Sequence, residues 1–100
     1  MIKRQMIMRP KGPKLLEARQ WAQELKEYFD KKYPQLASEI YTERFGNYLT
    51  LHFFSQFETL ADLEKNVEEA ESDEEYQALF MKGADLLVSD SVRAILLQTL

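Results

Sequence analysis

The sequence predicts a single α+β domain, spanning residues 1–100, with the element order strand, helix, strand, strand, helix, strand. Three observations support this class. The length suits one domain, helical and strand periodicities alternate along the chain, and Gly46-Asn47 separates two segments rich in β-branched and aromatic residues. Because so short a chain buries limited apolar surface, we expect it to pair with a second copy.

The first strand and the first helix are separated by a turn rich in proline and glycine. Residues 2–9 alternate apolar and polar side chains and are followed by Pro10, which is typical of a strand. Residues 14–33 follow the helical period, with Pro13 suited to the first turn and Pro34 ending the helix. The expected core stripe is Leu15, Ala18, Ala22, Leu25 and Phe29, flanked by Trp21 and Tyr28 at the sheet edge or a partner surface.

The glycine–asparagine pair predicts a two-residue type II′ turn that joins strands over 38–45 and 48–57. With Phe45 opposite Tyr48, one face of the hairpin is apolar and should pack on the helices. The other face mixes aromatic and polar groups, so we expect a second subunit or a ligand to cover it. The members of that face are Glu39, Tyr41, Glu43, Phe45, Tyr48, Thr50, His52 and Phe54.

The second half of the chain predicts a broken helix and a last strand. Thr59 has the character of an N-cap, the apolar pattern breaks at Glu71, and residues 72–75 restart a helix as a capping box. Gly83 should permit close approach to the sheet. Residues 92–99 read as a strand buried on both faces.

Composition excludes several functions. The 13 basic and 17 acidic residues give a net charge of −4, which argues against a nucleic-acid partner. There is no cysteine, and one histidine with scattered carboxylates makes no metal-ligand set, so we expect no metal and no cofactor. No apolar run is long enough to span a membrane. The N-terminus is too short and polar for a signal peptide, and a cytoplasmic location is expected.

The element order is that of the ferredoxin-like topology, βαββαβ, which several families share. RNA-recognition modules need aromatic residues on the first strand, which residues 2–9 lack. Acylphosphatases need a phosphate-cradling loop after that strand, but Pro10 and Pro13 remove backbone donors there.

The chain instead resembles the dimeric α/β-barrel superfamily, which includes antibiotic-biosynthesis monooxygenases, haem-degrading monooxygenases and muconolactone isomerases. The resemblance lies in residues 9–13 (RPKGP), 56–63 (QFETLADL) and 72–76 (SDEEY), followed by 79–88 and a last strand. It implies a four-stranded antiparallel sheet with helices on one face, and two such sheets meeting face to face in a homodimer. It also implies a pocket between sheet and helices or within the barrel.

The haem-degrading branch of that superfamily uses an asparagine on the first strand, a tryptophan in the sheet and a histidine on the second helix. Here the first strand has Gln5 instead of asparagine, the single tryptophan is Trp21 in the first helix, and neither helix has a histidine. Haem binding through that set is therefore not expected.

The candidate site centres on the single histidine. His52 could act as a general base or orient a ligand, with Tyr41 and Glu43 as catalytic partners on the same face; the alternative is a histidine packed in a dimer interface. The expected ligand-binding residues are Arg9, Thr50, Phe54 and Gln56, and Arg9 could equally be a surface arginine at a strand end.

Two functions follow from these features. The first is a homodimeric barrel that binds a small apolar or aromatic ligand. The alternative is a cofactor-independent monooxygenase or isomerase acting on an aromatic or polyketide-like substrate.

Overall fold

A computed structural model describes residues 1–47 and 49–100, and it confirms the α+β class and the ferredoxin-like order of elements. Short 3-10 turns, Gly12–Lys14 and Pro34–Leu36, flank the first helix. The main elements are β1 (Ile2–Met8), α1 (Leu15–Lys32), β2 (Glu39–Thr42), β3 (Leu51–Phe57), α2 (Leu60–Glu71), α3 (Glu74–Ala84) and β4 (Arg93–Gln98).

The four strands form one antiparallel sheet in the order β2-β3-β1-β4. Every second residue of β3 is buried, from Leu51 to Phe57, because these side chains lie under the helices. In β1 the residues that share this face are Ile2, Arg4, Met6 and Met8, as the pairing with β3 requires. The sheet therefore has a helix face and an open face, as the sequence predicts. No helix among the described residues is long and apolar enough to cross a membrane.

The predicted hairpin register is confirmed, but the predicted turn is wrong. Glu39 pairs with Phe54, and Tyr41 pairs with His52. However, β2 ends at Thr42 and β3 begins at Leu51, so a longer loop joins them. Gly46 lacks the positive φ that the first central position of a type II′ turn demands. The expected pair of Phe45 with Tyr48 lies outside the described residues, because it involves Tyr48.

Helix α1 buries a wider surface than its predicted stripe. Ala18, Ala22, Leu25 and Phe29 are buried as predicted, whereas Leu15 is only partly so. Trp21 and Tyr28 do not meet the sheet edge, because α3 packs across them. Both are buried in the same core, and the indole Nε1 of Trp21 donates to the carbonyl of Leu79 at 2.8 Å.

The glycine of α3 lies against this indole ring. A Cβ atom added at Gly83 would stand 2.3 Å from Cζ2 of Trp21. The expectation that Gly83 permits close approach to the sheet is therefore wrong, since its neighbour is helix α1. The absence of a side chain lets α3 settle directly on the tryptophan.

Thr59 and Asp73 cap the two halves of the broken helix. Thr59 accepts the N–H of Asp62 at 3.2 Å, as predicted. The second cap is Asp73 and not Ser72, because the Asp73 carboxylate accepts the N–H of Glu75 at 2.9 Å.

The same carboxylate ties α3 to α1. Asp73 accepts the hydroxyl of Tyr28 at 2.7 Å and an ion-paired hydrogen bond from Lys32. Lys32 foremost, then Tyr28, lowers the pKa of Asp73 to about 2. The Asp73 carboxylate is therefore ionised at physiological pH, where it caps α3 and connects that helix to α1.

The last strand differs most from its prediction. β4 pairs only with β1 and forms an edge of the sheet, and Ile95 is its one partly buried residue. The expectation of burial on both faces is wrong for the single chain, because no further strand or helix among the described residues covers this edge. Leu96 and Leu97 are about half exposed, on opposite faces.

We expect Gly83→Ala to destabilise the fold by about 2 kcal/mol in chemical denaturation. The new methyl group collides with the Trp21 ring, and the overpacking penalty outweighs the roughly 1 kcal/mol that alanine gains in a helix. Gly12→Ala is the matched control, because nothing lies within 4 Å of its added Cβ. If Gly83→Ala and Gly12→Ala were equally stable, close packing of Gly83 against Trp21 would be contradicted.

Candidate functional site

The open face of the sheet carries the predicted catalytic residues. It is formed by side chains that point away from the helices, and most of them are only partly buried. Aromatic and aliphatic groups are interspersed with charges, as predicted. The members of the open face are Lys3, Gln5 and Ile7 of β1, Glu39 and Tyr41 of β2, His52, Phe54 and Gln56 of β3, and Arg93, Ile95 and Leu97 of β4.

His52 is held at both ring nitrogens. Gln5 approaches Nδ1 through its Nε2 at 2.9 Å, and Glu43 approaches Nε2 through its Oε1 at 3.0 Å. Because the Gln5 amide donates to Nδ1, the neutral ring carries its proton on Nε2 and donates it to Glu43. If the ring took a second proton, Gln5 would have to turn its amide to offer an oxygen.

The carboxylate of Glu43 is anchored by the loop that follows β2. Its Oε2 accepts the backbone N–H of Asn47 at 2.6 Å. Gly46 leaves room for this, since a Cβ there would lie 2.8 Å from the same oxygen. The hydrogen bond from His52, then that from Asn47, lowers the pKa of Glu43. The structure thus brings the predicted His52–Glu43 pair together, with the Glu43 carboxylate as the acceptor.

Tyr41 lies beside this pair but is engaged elsewhere. Its hydroxyl donates to Glu39, which raises the pKa of the phenol. Its ring meets Phe54 edge to face, with centroids 5.6 Å apart. Tyr41 is half exposed, so it shares the face of His52 without a hydrogen bond between them in the part of the chain that the structure describes.

The predicted ligand-binding residues are divided between several places. Phe54 and Gln56 lie on the open face with His52. Thr50 is buried at the hairpin loop, where its N–H donates to Asn47 at 2.8 Å. Arg9 follows β1 with an exposed side chain, and its carbonyl accepts the N–H of Val88 at 2.8 Å. Their roles in binding stay predictions.

A second candidate site, which the sequence analysis missed, lies on the helix face. We call it the helix-side cleft: a space of about 540 Å³ between the sheet and helices α2 and α3. Such a volume suits a small organic ligand. Its apolar lining is Met6, Phe29, Val67, Ala70, Phe80, Met81 and Ala94, and its polar lining is Arg4, Asn66, Glu71, Tyr76 and Gln77.

Two polar side chains of this cleft have buried donor atoms without an acceptor in the part of the chain that the structure describes. The Nε of Arg4 and the Nδ2 of Asn66 are buried without a hydrogen-bond partner among the described residues. Burial lowers the pKa of Arg4 and raises that of Tyr76, an effect the arginine charge partly offsets. The sequence could have indicated this site. Arg4 alternates with Ile2, Met6 and Met8 along β1 and therefore lies on the same, apolar face of the strand.

Another cleft, of about 560 Å³, lies where the end of β3 meets α1 and α2. Its lining is mainly charged or polar, including Lys32, Asp62, Lys65 and Glu69. An apolar ligand is better matched by the helix-side cleft. No three His, Asp or Glu side chains gather as metal ligands within residues 1–47 and 49–100, and the expectations of no metal and no cofactor stay predictions.

The fold is similar to that of solved NIPSNAP and antibiotic-biosynthesis-monooxygenase structures. A NIPSNAP domain protein from Burkholderia xenovorans superimposes with a TM-score of 0.80 at 14% identity, over 100% of this chain and 95% of that one. A NIPSNAP family protein from Agrobacterium tumefaciens gives 0.80 at 18% identity, over 97% and 90%. An antibiotic biosynthesis monooxygenase gives 0.76 at 15% identity, over 100% and 99%. At these identities the likeness shows the fold alone.

Residues 11–88 match the model of a family of unknown function, DUF6039, and the chain belongs to that family. The match runs from the turn before α1 to the segment that follows α3. It thus includes α1, the hairpin and the broken helix, which together carry His52, Glu43 and most of the helix-side cleft. Comparison with curated proteins gives no significant match.

We expect His52→Phe to raise the pKa of the Glu43 carboxyl towards 4.5, its ordinary value, in a ¹³C NMR titration. The variant removes the main hydrogen bond that favours the ionised form. Because folding lowers this pKa, the stability that Glu43 contributes is fully present above pH 4.5 and is lost as the pH falls through the folded-state pKa. His52→Phe should therefore weaken this acid dependence.

Gln5→Met is the control for that titration, because it removes only the hydrogen bond at Nδ1 of His52. The pKa of Glu43 should stay low in this variant. A Glu43 pKa that is the same in the wild type and in His52→Phe would show that the histidine does not hold the carboxylate.

Proposed function

We propose that this protein is a homodimer that binds a small, largely apolar or aromatic molecule in the helix-side cleft. The observation that carries the proposal is the cleft itself, which combines sufficient volume with an apolar lining and a few polar groups. This is the usual construction of a small-molecule site.

The position of the cleft supports binding over a purely structural role. Its lining includes the exposed side chains of Phe80 and Met81 on α3. Exposed apolar groups of this size beside a concavity commonly mark a ligand site. Met81 can adapt to different ligand shapes because its side chain is flexible and polarizable.

The open face supports self-association. Tyr41 of β2 and Leu97 of β4 are each about half exposed, and Phe54 of β3 and Ile95 of β4 are partly buried on the same face. Charge is also unevenly placed: Glu39 and Glu43 lie at the β2 side, whereas Lys3 and Arg93 lie on β1 and β4. A twofold contact can therefore set the acidic side of one copy against the basic side of the other.

The second candidate, a cofactor-independent monooxygenase or isomerase, draws support from the hydrogen-bonded His52–Glu43 pair at 3.0 Å. One of the similar folds is an antibiotic biosynthesis monooxygenase. However, His52 and the helix-side cleft lie on opposite faces of the sheet. A ligand in the cleft does not reach His52, which favours an interface role for the histidine. The catalytic assignment of His52, Tyr41 and Glu43 stays a prediction, as does a cytoplasmic location.

We expect light scattering to give a mass near twice 11.8 kDa for the wild type, and Leu97→Glu to shift it towards the monomer. The new carboxylate lies on the open face, where a face-to-face contact would remove it from water and set it against the acidic side of the other copy. Leu96→Glu is the matched control, because Leu96 is similarly exposed on the opposite face of the same strand. A monomeric wild type, or equal behaviour of the two variants, would rule out this interface.

We expect the uncharged probe N-phenyl-1-naphthylamine to bind one site per chain with enhanced fluorescence, and Ala94→Trp to weaken binding by about tenfold or more. Ala94 lines the cleft from β4 and is itself exposed, so a large ring there fills the space without disturbing the core. Ala61→Trp, at an exposed position of α2, is the control. Unchanged binding in Ala94→Trp would place the probe elsewhere.

A further inference from the structure

The helix-side cleft contains a cation in an apolar setting. Arg4 lies on β1 between Ile2 and Met6 and faces the helices. Its Nε is fully buried, and burial is the main cause that lowers its pKa. The guanidinium carbon lies 5.3 Å from the centre of the Phe57 ring, so one face of the group is occupied by an aromatic surface.

This cation has no counter-ion in the described part of the chain. No carboxylate oxygen there lies within 4.0 Å of an Arg4 nitrogen, and the Glu71 carboxylate, which also lines the cleft, forms no ion pair with it. A partly buried charge without a partner opposes folding. An oxyanion from a ligand would remove this cost, and a guanidinium offers it parallel N–H donors.

A second unpartnered donor lines the same space. Asn66 of α2 is only 6% exposed, and its Nδ2 has no acceptor among the described residues. Buried polar atoms normally find a partner. Within residues 1–47 and 49–100, Arg4 on the sheet and Asn66 on the facing helix therefore place two donors without acceptors in one cleft.

We propose that the ligand of the helix-side cleft is an anion: an apolar or aromatic body bearing a carboxylate or an equivalent oxyanion, which Arg4 binds with the help of the Asn66 amide. This inference rests on the proposed ligand-binding function and adds the chemical class of the ligand. Phe29, Val67, Phe80 and Met81 contact the apolar body. The specificity for an acid comes from Arg4, because an uncharged analogue leaves the guanidinium unpaired.

Two fluorescent probes test this directly. 1-Anilinonaphthalene-8-sulfonate and N-phenyl-1-naphthylamine share one aromatic body and differ in the anionic group. We expect the wild type to bind the sulfonate more tightly. Arg4→Met should reduce affinity for the sulfonate by about tenfold or more and change affinity for the neutral probe by less than about twofold. Circular dichroism should show an intact fold for Arg4→Met, because the substitution removes an unpaired charge and keeps an apolar stem.

Lys11→Met is the control. Lys11 is exposed in the turn after β1 and lines neither the cleft nor the open face, so its substitution removes one positive charge without touching either surface. Both probes should bind Lys11→Met as they bind the wild type. Loss of sulfonate binding in Lys11→Met as well would attribute the preference to net charge and overturn the proposal.

The outcomes distinguish failure of the anion proposal from failure of ligand binding. If the wild type binds the neutral probe as tightly as the sulfonate, or Arg4→Met changes neither affinity, the anion proposal fails while ligand binding stands. If Arg4→Met weakens both probes equally, Arg4 only shapes the cleft and the proposal is overturned. If neither probe binds the wild type, the proposed function fails, and the inference fails with it.

Asn66→Leu provides an independent measurement should Arg4→Met not fold. This variant removes one donor from the cleft and keeps a side chain of similar size. We expect a selective loss of sulfonate affinity, of about threefold or more, with the neutral probe unaffected. An unchanged ratio of the two affinities would contradict the part assigned to Asn66 and, with Arg4→Met unfolded, the proposal itself.

Discussion

The contact between Trp21 and Gly83 determines how the helical layer of this protein is arranged. Because glycine has no side chain, α3 lies directly on the indole of α1, and the indole N–H is satisfied by the carbonyl of Leu79. Asp73 fixes the other end of α3 through Tyr28 and Lys32. With one side of α3 held against α1, its other side, with Tyr76 and Phe80, is left to form the wall of a cleft over the sheet.

The sheet divides the molecule into two surfaces with different chemistry. On the helix face, the cleft joins an apolar lining to the unpartnered donors of Arg4 and Asn66. On the open face, Gln5, His52 and Glu43 satisfy one another in a chain of hydrogen bonds. A hydrogen-bond network whose members are all paired stabilises one conformation, whereas buried donors without an acceptor can be paired by a ligand. This contrast is why we propose ligand recognition in the cleft and self-association at the open face.

Much of the open face could be predicted from the sequence, and the cleft could not. Side chains alternate strictly along a strand, so a single correct pairing places Tyr41 opposite His52 even though the turn that suggested the pairing is longer than expected. The burial of β4 was mispredicted because an apolar run does not reveal whether a strand is central or at an edge. Arg4 was overlooked because a basic residue near a strand end is ordinarily solvated. Only its position on the same face of β1 as Met6 and Met8 indicated burial.

By itself, the sequence determined the order of the elements, the hairpin register, the two faces of the sheet and the cap at Thr59, because periodicity and local hydrogen bonding set these features within a few residues. The tertiary structure alone decided that Gly83 meets Trp21, that His52 lies between Gln5 and Glu43, and that Arg4 and Asn66 share one cleft. Each of these joins residues distant in the chain. Such contacts depend on how helices and strands stack in space, which no local pattern specifies.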